Sequence, residues 1–536
     1  MQNNKCNNMS KLKISRANII ILLLLVILSV PAIYSLFHSG FFVTDDGEWM
    51  AIRFSAFYQA FRDGQFPIRF LGRLNNGFGY PVANFLYPGF MYLGIPIHIL
   101  GFDFVNTVKI IFGVSMIGSA VFTYLWLSKI FNKSSAFIGA LFYLYTPYHL
   151  FDLYKRGSIG EVLALAVIPF ILWQIERKSL FFSSLGIAFL ILSHNTLALL
   201  FLPLITVYAI IVRANDSESR TRKFTYRNFL SLIFGIGISS FFWIPAIFEL
   251  QYTRFSQTQV SDFRNYFADI GLIGVSTVVV LALSMFFFYK VQPWKRLNLH
   301  VNLHEKLFVF FLIIGVVSAL FSLDISKSLW NFLPSSFIQF PFRLLSYLIL
   351  SVSFLSAYII YQLKGNLRYF VSIFFISILA FSAFSYIKPS EFFDKPEGFY
   401  ATNEGTTTVQ DEYLPKWIKQ KPAEHFKEKV EIISGKGSIE NLVYNSKKMS
   451  FSTQLSVDSK VIINTIYYPG WKAYVDGNQS NIKYNNNQGI MELSAPNGNH
   501  IIKLSFSETP LRLFADITSI LSFIILVFYL YKKNYQ

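Results

Sequence analysis

Residues 83–100 read ANFLYPGFMYLGIPIHIL, and whether this run crosses a membrane decides on which side every later loop lies. On hydropathy alone it counts as a span. Against that, Pro88, Gly89, Gly94 and Pro96 interrupt it, and a proline inside a helix removes a hydrogen bond and kinks the chain. Charge gives the cleaner test. If the run does not cross, the turns holding Lys129 and Lys133, Glu176 to Lys178, Arg213 to Arg227, Lys290 to Lys306, Lys364 to Arg368, and Lys532 with Lys533 all face the cytoplasm. If it does cross, all of them move outside. Short loops rich in Lys and Arg stay on the cytoplasmic side, so we read 83–100 as lying in the outer interface or re-entering.

The rest of the chain supports a membrane setting. A spanning helix needs about 20 mostly apolar residues, because hydrocarbon cannot satisfy free backbone groups. Twelve runs qualify, at about 17–37, 105–127, 135–150, 161–176, 180–193, 196–213, 228–248, 269–289, 306–322, 343–363, 369–386 and 511–531. Hydrophobic residues make up 53% of the chain and charged residues only 14%, against about 25% charged in an ordinary soluble domain. That is too little charge to cover a water-facing surface. The net charge of +17 sits largely in the short turns, so it reads as an orientation signal and excludes a nucleic-acid partner. The single cysteine, Cys6, allows no internal disulfide and no cysteine metal site.

The first run follows Lys5, Lys11, Lys13 and Arg16, which sets the N-terminus in the cytoplasm. It lacks a small-x-small cleavage site and reads as an uncleaved anchor. The outer face then carries residues 38–104, about 151–160, 249–268, 323–342 and 387–510. Within the first loop, Met50, Phe54, Phe57 and Phe61 recur at helical spacing, which predicts an amphipathic helix lying on the membrane. After about 387 the composition turns polar. From about 429 apolar and polar residues alternate in short runs, with Asp476-Gly477 and Asn497-Gly498 as turns, the pattern of a small antiparallel β-sandwich. The expected organisation is a membrane domain at 1–386, a β-rich domain at 387–510, and a last span with a cytoplasmic tail at 511–536.

Several outer residues could carry chemistry. Asp45, Asp46 and Glu48 open the first loop, and carboxylates this close raise one another's pKa unless a cation compensates. Such an acid can serve as a general base or hold a divalent ion, Mg2+ or Mn2+. It can equally cap the following helix, with Thr44, Asp45 or Asp46 at its start. Arg53 is seven residues from Asp46 and shares its helix face. A second outer turn runs from His149 through Asp152, Lys155 and Arg156 to Glu161. Ionisable groups beside hydrocarbon default to functional candidates, although Arg156 and Glu161 can simply pair. His194 and Asn195 tip a hairpin between two spans. Arg343 begins a span, where a guanidinium either grips phosphate oxygens or snorkels to the interface.

These stretches together resemble the GT-C superfamily of membrane glycosyltransferases. They look closest to the branch named 6-pyruvoyl-tetrahydropterin synthase-related, with YfhO-like proteins as relatives. The matching segments are TDDGEW, GYPVANFLYP, TPYHLFDLYKRGSIGE, LSHNTLA, IQFPFRLLSY, DEYLP at 411–415 and YYPGWKAYVDG at 467–477. No residue pattern points to pterin chemistry. The resemblance implies a sugar donor on a polyprenyl phosphate, entering from lipid at the outer face of the cell membrane. It implies inverting transfer to an extracytoplasmic glycan, lipid or protein acceptor, with Asp45 or Asp46 as the base. Arg156 and Arg343 would hold the donor phosphate, and Glu48, Arg53, His149, Glu161, His194 and Asn195 would support the site. Two other functions compete. A transporter or flippase for a lipid-linked glycan should show paired repeats and charged mid-membrane helices, and no repeat is visible. A non-catalytic envelope assembly factor would use the acids only as caps. Tyr467, Tyr468, Trp471 and Tyr474 could stack on sugars or fill the β core.

Overall fold

The computed structural model describes residues 16–214, 223–257, 263–291, 302–332 and 338–535. Cys6, Lys5, Lys11 and Lys13, and parts of the turns at Arg213 to Arg227 and Lys290 to Lys306, lie outside the described residues. Among the described residues, eight helices are long and apolar enough to cross a membrane: Arg16–Phe37, Phe104–Leu127, Ile159–Glu176, Asn195–Arg213, Leu303–Ser322, Pro341–Gln362, Gly365–Ala383 and Pro510–Lys532.

The other four expected spans are shorter or broken, each for a local reason. The run at 135–150 gives a helix only over Lys133–Tyr145. Pro147 then starts a separate helix, Pro147–Phe151, because the residue before a proline is pushed out of the helical region. The run at 228–248 bends by 68° between Phe229–Ile238 and Ser240–Tyr252. Ser239 and Ser240 turn their hydroxyls back onto Gly235 and Ile236 carbonyls, a pattern that bends helices. Gly274, at φ +87°, separates Ile270–Ile273 from Val275–Val291. Leu180–Ser193 has 14 residues. The deciding run at 83–100 holds one helix of 11 residues, Gly89–Ile99, about 16 Å long and half of what a crossing needs.

Alternation of the helices gathers the first loop, the turn at 146–158, His194, Glu249, the segment before Arg343 and the whole β region at one end of the bundle. The turns with Lys129 and Lys133, Arg177 and Lys178, and Lys364 and Arg368 lie at the other end. Asp103 and Asn302 start two of the long helices, their side chains accepting from Asn106 N at 2.6 Å and Glu305 N at 3.0 Å, the usual service of a capping residue.

The helix Gly47–Arg62 does not lie on a membrane surface. Met50, Phe54 and Phe57 are buried, but so are Ile52, Ser55 and Ala56 on its other side. Phe54 meets Phe104 with ring centres 5.7 Å apart, and Ser55 donates to Tyr400 O at 2.6 Å. The helix is enclosed by protein, which supplies the apolar contact that the spacing assigned to lipid.

The β region has eight strands: β1 (Val430–Ser434), β2 (Gly437–Tyr444), β3 (Lys448–Leu455), β4 (Ser459–Ile466), β5 (Trp471–Val475), β6 (Asn478–Ser480), β7 (Ile490–Ala495) and β8 (Gly498–Phe506). They form a five-stranded sheet in the order β2-β3-β8-β5-β6 and a three-stranded sheet in the order β1-β4-β7. Asp476 and Gly477 both take positive φ between β5 and β6, as a tight hairpin turn requires. Alternate residues Met449, Phe451 and Leu455 of β3 face the core with Ile502, Leu504 and Phe506 of β8. Tyr468 and Trp471 are buried, whereas Tyr467 and Tyr474 are half-buried.

One buried polar cluster fastens this region to the helices. Glu249 accepts from Arg512 Nε at 2.8 Å and Nη2 at 2.7 Å, from the Tyr468 hydroxyl at 2.8 Å, and from Asn84 Nδ2 at 2.9 Å. Glu249 belongs to a bent helix, and its partners come from the GYPVANF segment, the YYPGW segment and the last helix.

Candidate functional site

The acidic loop and the basic turn are joined along their backbones. Asp45 N–H donates to Lys155 O at 3.0 Å, and Asp46 N–H donates to Arg156 O at 2.9 Å. Gly157 makes this approach possible. It sits at φ +63°, and a Cβ there would stand 2.6 Å from Thr44 Oγ1 and 2.7 Å from Gly47 N. Gly160 serves likewise at the start of the next helix, where a Cβ would stand 2.2 Å from the Tyr87 ring and 2.6 Å from Ser193 O. The two glycines of RGSIGE are therefore contact points for the first loop, the 83–100 segment and the His194 hairpin.

Gly157→Ala is expected to cost about 1–3 kcal/mol and to push the two loops apart. Gly64→Ala is the control, because Gly64 has φ +84° but nothing within 4 Å of its would-be Cβ. Thermal melts should show a larger loss for Gly157→Ala, and equal losses would contradict the close-approach account.

The capping role falls to Thr44, whose Oγ1 accepts from Gly47 N at 2.8 Å. Asp46 precedes the helix without a side-chain cap bond. Among the described residues, no side chain hydrogen-bonds to its carboxylate. Asp45 is exposed. Burial raises its pKa, Lys155 pulls it down, Asp46 pushes it up and Arg156 pulls it down again.

Behind the acids lies a charge cluster centred on Glu161. Its Oε1 accepts from Arg156 Nη1 at 2.5 Å and Arg343 Nε at 2.9 Å and lies 2.8 Å from Arg343 Nη2, and its Oε2 accepts from the Tyr148 hydroxyl at 3.3 Å. Arg156 Nη1 also meets Asp152 Oδ1 at 2.9 Å. Two arginines thus face two carboxylates, all of them buried, which is how buried charge becomes tolerable. The arginines differ in what remains free. Arg343 spends Nη1 on Ile338 O at 2.7 Å and Gln339 Oε1 at 3.0 Å. Arg156 uses Nη1 alone, so its Nε and Nη2 make no hydrogen bond among the described residues. Its guanidinium lies 5.5 Å from the Phe340 ring centre and 5.3 Å from that of Phe342.

His194 closes the cluster, with Nε2 3.7 Å from Glu161 Oε1 and its ring 4.8 Å from that of Tyr87. Burial holds its pKa down to about 3, with Glu161 opposing and the two arginines reinforcing that shift, so the imidazole is neutral near pH 7. The Tyr87 phenol lies within electrostatic reach of Asp46, Arg53, Glu161 and Arg156. Arg53 turns to the chain ahead of the β region, donating from Nε to Thr407 Oγ1 at 3.0 Å and from Nη2 to Thr407 O.

Asp45, Asp46, Arg53, Arg156, Glu161, His194 and Arg343 therefore meet at one end of the bundle. Three other candidates do not join them. Glu48 pairs with Lys395. His149 faces Tyr143 O at 2.9 Å in the interior. Asn195 donates to Phe85 O at 3.0 Å and so ties down the hairpin. Sequence reasoning passes over Tyr87 and Tyr148, although each lies in a quoted segment. Aromatic residues in an apolar run carry no local mark of a polar role.

A divalent cation does not fit well here. Among the described residues, no group of three or more His, Cys, Asp or Glu is placed to hold a metal ion, and the charges that reach Asp45 beside Asp46 are those of Lys155 and Arg156.

Fold and site together define a multi-pass membrane protein with a cluster of acids and arginines at one end of its helices. The chain belongs to the family of membrane proteins described as 6-pyruvoyl-tetrahydropterin synthase related domain, which matches residues 86–390. No curated protein sequence matches it. Among solved structures it is similar to the arabinofuranosyltransferase AftD from mycobacteria, in a mutant form, with 15% identity and a TM-score of 0.46, covering 70% of this chain and 28% of AftD. It is also similar to the archaeal oligosaccharyltransferase AglB from Archaeoglobus fulgidus, solved with an inhibitory peptide and a dolichol-phosphate, with 12% identity and a TM-score of 0.41, covering 73% of this chain and 56% of AglB. The chain thus spans less than two thirds of either.

Proposed function

We propose that this protein is a glycosyltransferase that moves a sugar from a polyprenyl-phosphate donor to an acceptor outside the cytoplasm. The observation that carries the reading is the backbone pairing of Asp46 with Arg156. It joins the residue whose carboxylate has no side-chain hydrogen-bond partner to the residue whose guanidinium has unused N–H groups, and the charges of the two reach one another. Inverting transfer needs that pair. The base takes a proton from the acceptor hydroxyl, whose oxygen forms the new bond to the anomeric carbon. The bond from that carbon to the phosphate oxygen breaks, and its electron pair leaves with the lipid phosphate, where a guanidinium stabilises the charge.

We assign the base to Asp46, because Asp45 is exposed beside Lys155. We assign the phosphate contact to Arg156, with Arg343 holding Glu161 and through it Arg156. Placing the lysine- and arginine-bearing turns in the cytoplasm sets this pocket at the outer face of the cell membrane, with both termini inside. In this reading residues 1–386 are the membrane domain, 387–510 cover the pocket from outside, and 511–536 return the chain.

The test uses purified full-length protein in lipid nanodiscs with labelled polyprenyl-phosphate sugars and a panel of glycoside, lipid and peptide acceptors. Transfer that falls at least tenfold in Arg156→Met, as loss of a charge-assisted hydrogen bond implies, supports the reading. Undiminished transfer in that variant, or flipping of a lipid-linked glycan across liposomes with no transfer, overturns it.

A further inference from the structure

The turn between β2 and β3 stands at the level where the last helix enters the membrane. Gln65 Nε2 donates to Ser446 O at 3.2 Å and to Ser446 Oγ at 2.9 Å, and Lys447 Nζ donates to Gly64 O at 2.5 Å. Close by in the chain, Phe66 is 74% exposed. Its ring centre lies 6.0 Å from that of Tyr92, which lies 6.5 Å from that of Phe241. Phe241 N–H in turn donates to Ser519 Oγ at 2.7 Å, on the span Pro510–Lys532. β8 runs down to the same level, because its residue Ser505 lies shortly before Pro510.

Strand alternation turns one side of the five-stranded sheet inward and the other outward. Met449, Ala473 and Leu504 are buried, whereas their neighbours along the strands are exposed or half-buried. At the membrane end the outward side holds two registered rows. One carries Ser450, Lys503 and Tyr474, and the next carries Lys448, Ser505 and Lys472. Lys448 and Lys472 flank Ser505 at one strand spacing each, so about 10 Å separates their Cα atoms. Lys503 follows two residues away on the strand of Ser505. An open cleft of about 560 Å³ lies over these rows, lined by all of them except Lys472. Among the described residues, no carboxylate pairs with any of the three lysines. Glu440 lies one row further from the membrane, opposite Ser452. Asp63 accepts from Ser446 N at 2.9 Å, and Glu508 faces Arg69 at 3.4 Å. Like charges on neighbouring strands destabilise a sheet, so three ammonium groups around one hydroxyl call for an anion.

We propose that this face binds the phosphate groups of anionic phospholipids and so holds the β region down on the membrane surface. Lysines close to a membrane are drawn to anionic headgroups, and the Lys448, Ser505 and Lys472 row is the one nearest the start of the last span. The hydroxyls of Ser450, Ser505 and Tyr474 add neutral donors to phosphate oxygens. Position selects a lipid over a soluble anion, because phosphate is concentrated at the headgroup level. The assignment stands without the transferase reading.

The test places full-length protein in nanodiscs of phosphatidylcholine, alone or mixed with phosphatidylglycerol. A brief pulse of an amine-acetylating reagent is then read lysine by lysine by mass spectrometry. Lys448, Lys472 and Lys503 should be labelled about fivefold more slowly in the mixed discs, the effect of an anionic surface on one lysine. Lys436 and Lys460 are exposed at the far end of the strands and should be labelled equally in both. Concentrated sodium chloride should remove the protection, because salt screens exposed charge. Equal labelling of the three lysines in both discs overturns the site. So does an equal slowing of Lys436 and Lys460, which would report a general surface field. Protection by inorganic phosphate or a soluble polyuronate in pure phosphatidylcholine discs, with none from phosphatidylglycerol, overturns the lipid as occupant. No sugar transfer enters the readout, so failure here leaves the transferase reading untouched.

Discussion

Asp46→Asn is expected to lower sugar transfer by about 10²- to 10⁴-fold, the range that a positioned general base supplies, while the protein melts at nearly its original temperature. The substitution keeps shape and leaves the backbone bond from residue 46 to Arg156 O in place. It removes only the basic lone pairs. No side-chain hydrogen bond caps the helix from this position, so no helix stability is lost with the charge. Asp45→Asn should cost far less than Asp46→Asn, because Asp45 is exposed and faces Lys155 rather than the pocket. Equal losses in both variants would move the base to the pair as a unit. Full activity in each single variant and in the double variant would remove the base from this loop altogether.

The second large effect concerns the junction between the β region and the helices. Glu249→Leu should destabilise the protein by about 3–5 kcal/mol, the cost of leaving a buried partner charge uncompensated. Arg512, the Tyr468 hydroxyl and Asn84 would all lose their acceptor at once. The double variant Glu249→Leu with Arg512→Met should recover most of that loss, because a well-packed apolar pair can replace a buried ion pair at little cost. Thermal melting, followed together with protease cleavage in the β strands, would report both. A double variant no more stable than the single one would mean that the cluster acts through shape or through Tyr468 and Asn84 rather than through charge.

The features legible in the sequence are those written in short windows. Pro88, Gly89 and Pro96 mark the 83–100 run as interrupted, the charge of the later turns sets it aside as a crossing, and the helix there is half a span long. The strands after Val430 show in the alternation of residues such as Met449, Phe451 and Leu455. Single breaks inside apolar runs escape notice, at Pro147, at Ser239 and Ser240, and at Gly274, because hydropathy sums over a window and averages a hinge away. The amphipathic helix is correctly periodic but wrongly assigned to lipid. A stripe of Met50, Phe54 and Phe57 looks the same whether it meets hydrocarbon or other side chains.

The pocket is only partly readable. Asp45, Asp46, Arg156 and Arg343 stand out by type and place. What Arg343 does depends on Glu161, 182 positions away, and nothing local reveals that its donors are already spent. Gly157 and Gly160 read as flexibility, whereas they are places where two stretches of chain touch.

The most direct test is a structure of the full-length protein in a lipid nanodisc with a polyprenyl phosphate bound. The phosphate should lie against Nε and Nη2 of Arg156, with the Asp46 carboxylate facing the same space and the polyprenyl chain leaving toward lipid. A phosphate seated elsewhere, with Arg156 still turned only to Asp152 and Glu161, would contradict the account.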